Sequence, residues 1–181
     1  MVAMQTERLI LRELMAEDAQ ALNAVDAHPD VARWLGFTAS LDDSRSYVES
    51  VMRDARESPR QYTLAIVTKA DNRLIGRCGF DRGGPHLAEG ALGYSLHRDH
   101  WGQGYMTEAI RALIGFGFAE VKLHRIMAEA DPRNVGSWRV MEKVGMRQEG
   151  HLRENFLLDG AWCDSYLYAI LDRVWEAPSP E

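Results

Sequence analysis

Ala91-Leu92-Gly93-Tyr94-Ser95-Leu96, the polar stretch from His97 to Gln103, and the run from Gly104 to Glu120 decide the fold. The first piece is short, mostly apolar and of strand length. In the last, Ile110, Leu113, Ile114, Gly117, Phe118 and Val121 recur three or four apart, which predicts a helix with one apolar face. Between them Gly102 and Gly104 let the chain turn tightly and approach a ligand. The first N–H groups of the following helix have no partners within it, and its dipole adds positive potential. Strand, glycine loop and helix N-terminus together predict an anion site, best suited to a phosphate or pyrophosphate. No Lys-Ser or Lys-Thr follows the glycines and the third glycine of a dinucleotide fingerprint is missing, so neither nucleotide loop matches.

Working outward, residues 6 to 12 alternate in character and read as a first strand, and Glu17 to Ala27 as a helix carrying Ala21, Leu22 and Val25. His28-Pro29-Asp30 ends that helix, with Asp30 capping a short turn through Trp34. Ser40-Leu41-Asp42-Asp43 resembles a capping box, opening a helix to about Ser58 that Pro59 stops. Tyr62 to Thr68, Leu74 to Phe80 and Glu89 to Leu96 read as an antiparallel meander. After the 104 to 120 helix come a strand from Ile126 to Ala130, a turn at Asp131-Pro132, and a helix begun near Asn134 and stopped at Gly145. Two last strands, about 151 to 158 and 162 to 171, flank an Asp159-Gly160 hairpin turn. The expected fold class is α+β, a mixed α/β domain over residues 1 to 175 with a frayed tail from 176 to 181.

The chain has 181 residues, 46% hydrophobic and 27% charged, which suits one soluble domain. A formal net charge of −6 argues against nucleic acid and mildly favours cationic or amine-bearing partners. Cys78 and Cys163 show no metal spacing and read as buried thiols of a reducing compartment. No signal peptide or membrane-length apolar run is visible, so a cytoplasmic location without membrane partners is expected.

Three blocks carry a family resemblance: Thr6-Glu7-Arg8-Leu9-Ile10-Leu11-Arg12, then Trp101-Gly102-Gln103-Gly104-Tyr105-Met106-Thr107-Glu108-Ala109, then Asn134-Val135-Gly136-Ser137 followed by Glu142-Lys143-Val144-Gly145-Met146. In this order they resemble the GCN5-related N-acetyltransferases (GNAT), within them the ribosomal-protein alanine N-acetyltransferases. Asp99 to Gly104 matches the family's Q/R-x-x-G-x-G/A pyrophosphate loop, except that Asp99 stands where Gln or Arg is preferred, which weakens the expected cofactor affinity. The resemblance implies a central, mostly antiparallel twisted sheet flanked by helices. The strands on either side of the 91 to 130 crossover splay apart, and a cofactor, acetyl-CoA, lies in the gap without a metal. Cofactor binding then falls to Leu96, Trp101, Gly102, Gln103, Gly104, Tyr105, Met106, Asn134 and Ser137. Ser137 is the candidate on the thiol side, and a backbone N–H of the 91 to 96 strand would stabilise the carbonyl oxygen.

Acetyl transfer from a thioester to an amine needs a neutral amine, a donor for the oxygen, a stabilised thiolate and close placement of both reactants. No Cys-His pair or metal cluster offers a covalent or metal route. Glu154 and Glu89 are the candidate bases, with a surface salt bridge the ordinary alternative for Glu154. His28, Trp34, Phe37 and Tyr94 are candidate acceptor contacts. The resemblance implies direct transfer to an amine, foremost a protein or peptide N-terminal α-amine. A small-molecule amine is the alternative, then an acyl-CoA binder without turnover, and a homodimer is possible.

Overall fold

A computed structural model describes residues 2–57, 60–158 and 160–175. Eight strands form one sheet: β1 (Ala3–Gln5), β2 (Leu9–Glu13), β3 (Gln61–Thr68), β4 (Leu74–Gly83), β5 (Glu89–Leu96), β6 (Arg125–Ala130), β7 (Arg147–Leu158) and β8 (Ala161–Leu171). Their spatial order is β1-β2-β3-β4-β5-β6-β8-β7. Every neighbouring pair is antiparallel except β5 and β6.

Five helices cover the two faces: α1 (Ala19–Asp26), α2 (Pro29–Leu35), α3 (Leu41–Glu57), α4 (Tyr105–Ala119) and α5 (Val135–Lys143). Leu22 and Val25 of α1 and Val48 and Val51 of α3 pack on Ala65 and Val67 of β3. Leu64 and Ile66 of the same strand face Ile110, Leu113 and Ile114 of α4. Both faces of β3 are therefore covered, which is why Leu64 to Val67 is an unbroken apolar run and not an alternating one. On α4, Ile110, Leu113, Ile114 and Gly117 of the expected stripe are buried and Met106 and Ala109 extend it, whereas Phe118 is half-buried and Val121 lies beyond the end of the helix.

The meander of β3, β4 and β5 is present as expected. The capping box holds: Asp43 N–H donates to Ser40 Oγ at 3.1 Å and Ser40 N–H to Asp43 Oδ2 at 2.9 Å. Asn134 caps α5, accepting from Ser137 N–H at 3.3 Å. Asp159, the first residue of the expected hairpin turn, and Ser58 and Pro59, at the expected end of α3, lie outside the described residues, as does the 176 to 181 tail.

Three expectations are corrected. The first strand pair is β1 with β2, and Thr6 to Arg8 lies between them, because Thr6 turns the chain by bonding Leu9 through both N–H and Oγ1. The cap of the second helical segment is His28, not Asp30: Pro29 takes the first helical position, where its missing N–H is harmless, and His28 Nδ1 accepts from Asp30 N–H at 3.2 Å. The last hairpin is longer than expected, with β7 beginning at Arg147.

Candidate active site

The parallel pairing of β5 with β6 lasts for three residue pairs, Glu89 with Arg125, Gly90 with Ile126 and Ala91 with Met127. Beyond Ala91 the two strands part. Among the described residues, the backbone of β5 from Leu92 to Leu96 keeps its partner β4 on one side and pairs with no strand on the other. A parted parallel pair leaves unpaired N–H and C=O groups facing a gap, available to an extended ligand.

Two cavities open at this gap. One, of about 350 Å3, runs along Leu96, Trp101, Gly102 and Met106 towards the first turn of α5, with Arg33 and Arg133 on its lining. The other, of about 500 Å3, lies against Gly79, Asp81, Ala91, Gly93 and Glu129, walled by Tyr47 and Phe156. Trp34, Leu35, Tyr94, Asn134 and Ser137 line both. They divide along β5: Ala91, Leu92 and Gly93 line the larger, Ser95 and Leu96 the smaller, and Tyr94 between them lines both.

At the shared wall, Tyr94 Oη lies 3.0 Å from Ser137 Oγ and donates to the Ser137 carbonyl at 3.0 Å. Burial pushes the Tyr94 phenol up to about 12, against the opposing pull of the Ser137 hydrogen bond, so it remains a proton donor at neutral pH.

The glycine loop is built as the anion site requires. Gly102 and Gly104 have φ of +74° and +83°, the left-handed region, and Gly104 caps α4. Trp101 Nε1 donates to Leu96 O at 2.8 Å and fixes the loop to the end of β5. Arg8 braces it from behind, donating to Gln103 O at 3.0 Å and lying over the Tyr105 ring at 4.3 Å. Asp99 points its carboxylate into solvent, 75% exposed, while its carbonyl accepts from Gln103 Nε2 at 2.8 Å. The neighbouring Arg98 is held by Asp30 at 3.3 Å and by the Trp101 face at 4.9 Å. The left-handed loop, the helix N-terminus behind it and the open edge of β5 together fit a pyrophosphate joined to an extended arm.

Of the candidate residues, Leu96, Trp101, Gly102, Met106, Asn134, Ser137, Trp34 and Tyr94 are brought together around the gap. Gln103, Gly104 and Tyr105 shape the loop from outside the groove lining. His28 caps α2 and meets His97 edge to face at 5.7 Å, outside both cavity linings. Phe37 is 55% exposed and also outside them. Glu89 sits at the closed, paired end of β5, and Glu154 is exposed on a bulge of β7.

Several side chains in and around the larger cavity were not anticipated. Arg77 reaches Asp26 at 3.1 Å and Tyr47 at 2.7 Å, and Ser95 donates to Asp26 at 2.8 Å, tying α1 and α3 to the cavity floor. Asp131 is held by Arg133, whose hydrogen bonds bring its carboxyl below the usual range against the effect of burial. Asp81 and Glu129 line the same cavity. Only their strand parity was readable, since the face that parity serves depends on where β5 and β6 part.

A family model described as an acetyltransferase (GNAT) domain matches residues 8–147. This chain belongs to the GNAT acetyltransferase family. It is 31% identical over 176 residues to the uncharacterized N-acetyltransferase p20 of Bacillus licheniformis, covering 97% of this chain and 99% of that protein. It is 26% identical over 184 residues to the [ribosomal protein uS5]-alanine N-acetyltransferase of Escherichia coli, covering 96% and 93%. Among solved structures it resembles Mycobacterium smegmatis RimJ in complex with CoA-disulfide, with a TM-score of 0.82 and 26% identity over 93% of this chain and 85% of the other. The fold is that of the family, and acetyl-CoA is the donor that family uses. The groove bounded by the glycine loop, the open edge of β5 and the first turn of α5 has the shape and backbone chemistry for it.

Proposed function

We propose that this protein transfers an acetyl group from acetyl-CoA to the α-amine of a protein or peptide N-terminus, by direct attack while both reactants are bound. The supporting observation is that the two cavities share one wall, made by Trp34, Leu35, Tyr94, Asn134 and Ser137. A donor in the groove and an acceptor in the larger cavity meet there without a carrier residue, and such placement lowers the barrier more than any single acid or base.

In this reading the Gly102 to Gly104 loop and the N-terminus of α4 hold the pyrophosphate. Leu96, Trp101, Met106 and Asn134 border the arm. A free N–H of β5 beyond Ala91 hydrogen-bonds the carbonyl oxygen as charge grows on it. Ser137 Oγ faces the leaving sulfur, oriented by Tyr94. Trp34 contacts the acceptor. Thioester chemistry comes from acetyl-CoA itself, and the chain supplies alignment and donors.

The N-terminal α-amine as acceptor rests on the likeness to the uS5-alanine enzyme, 26% identical along almost the whole of both chains. A small-molecule amine is the second reading, favoured by an acceptor cavity of about 500 Å3, within the size range of small-molecule sites. One experiment separates them: acetyl-CoA is offered with a pool of N-terminal peptides and a pool of small amines, and products are read by mass and thiol release. Acetylated peptides support the first reading, acetylated small amines alone support the second, and CoA binding without product leaves a binding protein.

A further inference from the structure

Within the β7–β8 hairpin the register shifts between Leu152 and Phe156, so that residues 153 to 155 leave the ladder. Glu154 adopts φ of +48°, left-handed backbone that a non-glycine residue enters at a cost, and its N–H donates to Asp164 Oδ1 at 2.9 Å. The bulge turns Glu154 outward and sends Asn155 across β8. There Asn155 Nδ2 donates to Glu129 Oε2 at 3.1 Å. Ser165, 1% exposed, donates its hydroxyl to the same oxygen at 2.6 Å.

Glu129 is thus a bracketed carboxylate. One oxygen is fixed by two neutral donors, and among the described residues the other carries no hydrogen bond. Its charge is not cancelled, unlike that of Asp131 against Arg133, Asp26 against Arg77 or Glu149 against Arg125. Glu129 lies on the β6 face opposite the buried Ile126, Ala128 and Ala130, and lines the acceptor cavity. Asp81 lines the same cavity without a comparable bracket among the described residues. Orientation by neutral donors fixes a negative charge in place and leaves it available to a cation.

We infer that Glu129 takes the acceptor's amino nitrogen and receives its proton during transfer, with Ser165 and Asn155 as its positioning residues. The inference rests on the acetyltransferase reading above. The amine arrives as an ammonium ion and gives one proton to water. Its lone pair forms the C–N bond at the thioester carbon while the carbonyl π pair moves onto oxygen. The nitrogen, now positive, passes its remaining extra proton to Glu129 Oε1. The oxygen pair re-forms C=O, the C–S bond breaks, and sulfur leaves with the bonding pair and takes a proton at the Ser137 end of the site, replaced from water. Glu129 returns its proton to water, so one proton is released per turnover. A carboxylate beside the nitrogen stabilises charge that exists in the transition state and not in the neutral amine.

The test uses the full chain with acetyl-CoA and two probe amines, an alanyl peptide and phenethylamine. With whichever probe the unmodified protein acetylates, Glu129→Gln is expected to lower kcat/KM for the amine about 100-fold, as loss of a general base does, with the Kd for CoA unchanged. Ser165→Ala and Asn155→Leu are expected to lower it about tenfold through the amine terms alone, and Asn155→Gln, which keeps the donor, to recover most of that loss. Amine kinetics unchanged in a folded Glu129→Gln protein overturn this inference and leave the acetyltransferase reading standing. Acetylation of neither probe nor of any pooled amine overturns that reading, and this inference with it.

Discussion

Glu108 in the first turn of α4 is bound by Arg8, a hundred residues earlier in the chain, through the Arg8 backbone N–H at 2.8 Å and its Nε at 2.7 Å. Thr6 adds its hydroxyl at 2.5 Å. The first motif block therefore exists to hold the second: the chain entering β2 clamps the helix whose N-terminus faces the glycine loop. Burial alone would raise the Glu108 carboxyl, but the bonds from Thr6 and Arg8 outweigh it and bring it below its ordinary 4.5. A carboxyl depressed on folding contributes stability that is fully present above about pH 4.5 and is lost as pH falls through the lower folded value. Glu108→Gln is expected to destabilise the protein by roughly 1–3 kcal/mol at pH 7, because charge-assisted bonds are lost and donors are left facing a donor. Denaturant unfolding from pH 7 to pH 3 checks this, with the gap between variant and parent narrowing on the acid side.

Tyr94→Phe keeps the ring and removes the hydroxyl that touches Ser137. It is expected to lower kcat about tenfold with little change in KM for acetyl-CoA, the pattern of an interaction used in the transition state. Ser137→Ala is expected to lower turnover more than it lowers CoA affinity. Because the Tyr94 phenol is pushed up to about 12, the parent's pH–rate profile is expected to show no alkaline limb from Tyr94 near 10, where a free phenol ionises.

Two glycines separate the two cavities experimentally. A side chain at Gly93 meets nothing within 4 Å and enters the larger cavity, proposed for the acceptor, on strand backbone that accepts β-branched residues. Gly93→Val is expected to raise the acceptor KM at least tenfold while CoA affinity holds. At Gly104 the obstacle is the backbone, since φ of +83° costs an L-residue about 1–2 kcal/mol and a β-branched one more. Gly104→Val is expected to weaken CoA binding about tenfold or more. Calorimetric titration with CoA, beside acceptor kinetics, gives both answers.

The glycine-loop side of the candidate site was legible because it is local. Strand, left-handed glycines and helix N-terminus follow one another in sequence, and the caps at Ser40 and Asn134 are chemistry within three residues. The larger cavity was not, because it is assembled from distant pieces. Asp26, Arg77 and Ser95 meet from three elements. Glu129 is reached by Asn155 only because the chain bulges at Glu154, a left-handed position with no glycine to announce it. The first helix ends ahead of His28 as expected, but His28 also caps α2, a role hidden because a histidine ring nitrogen stands in for the usual Ser, Thr, Asp or Asn. Phe37 lies outside both cavity linings because the chain turns at Gly36, in the left-handed region at the end of α2.

In the proposed reaction, donor and acceptor meet at the Ser137 and Tyr94 wall and react there directly. Initial rates with acetyl-CoA and the acetylated amine varied together test it most closely. Intersecting double-reciprocal lines, with one thiol released per acetyl group transferred, are the predicted result. Parallel lines, which report an acetylated protein intermediate, or a folded protein that releases no thiol with any amine, would contradict it.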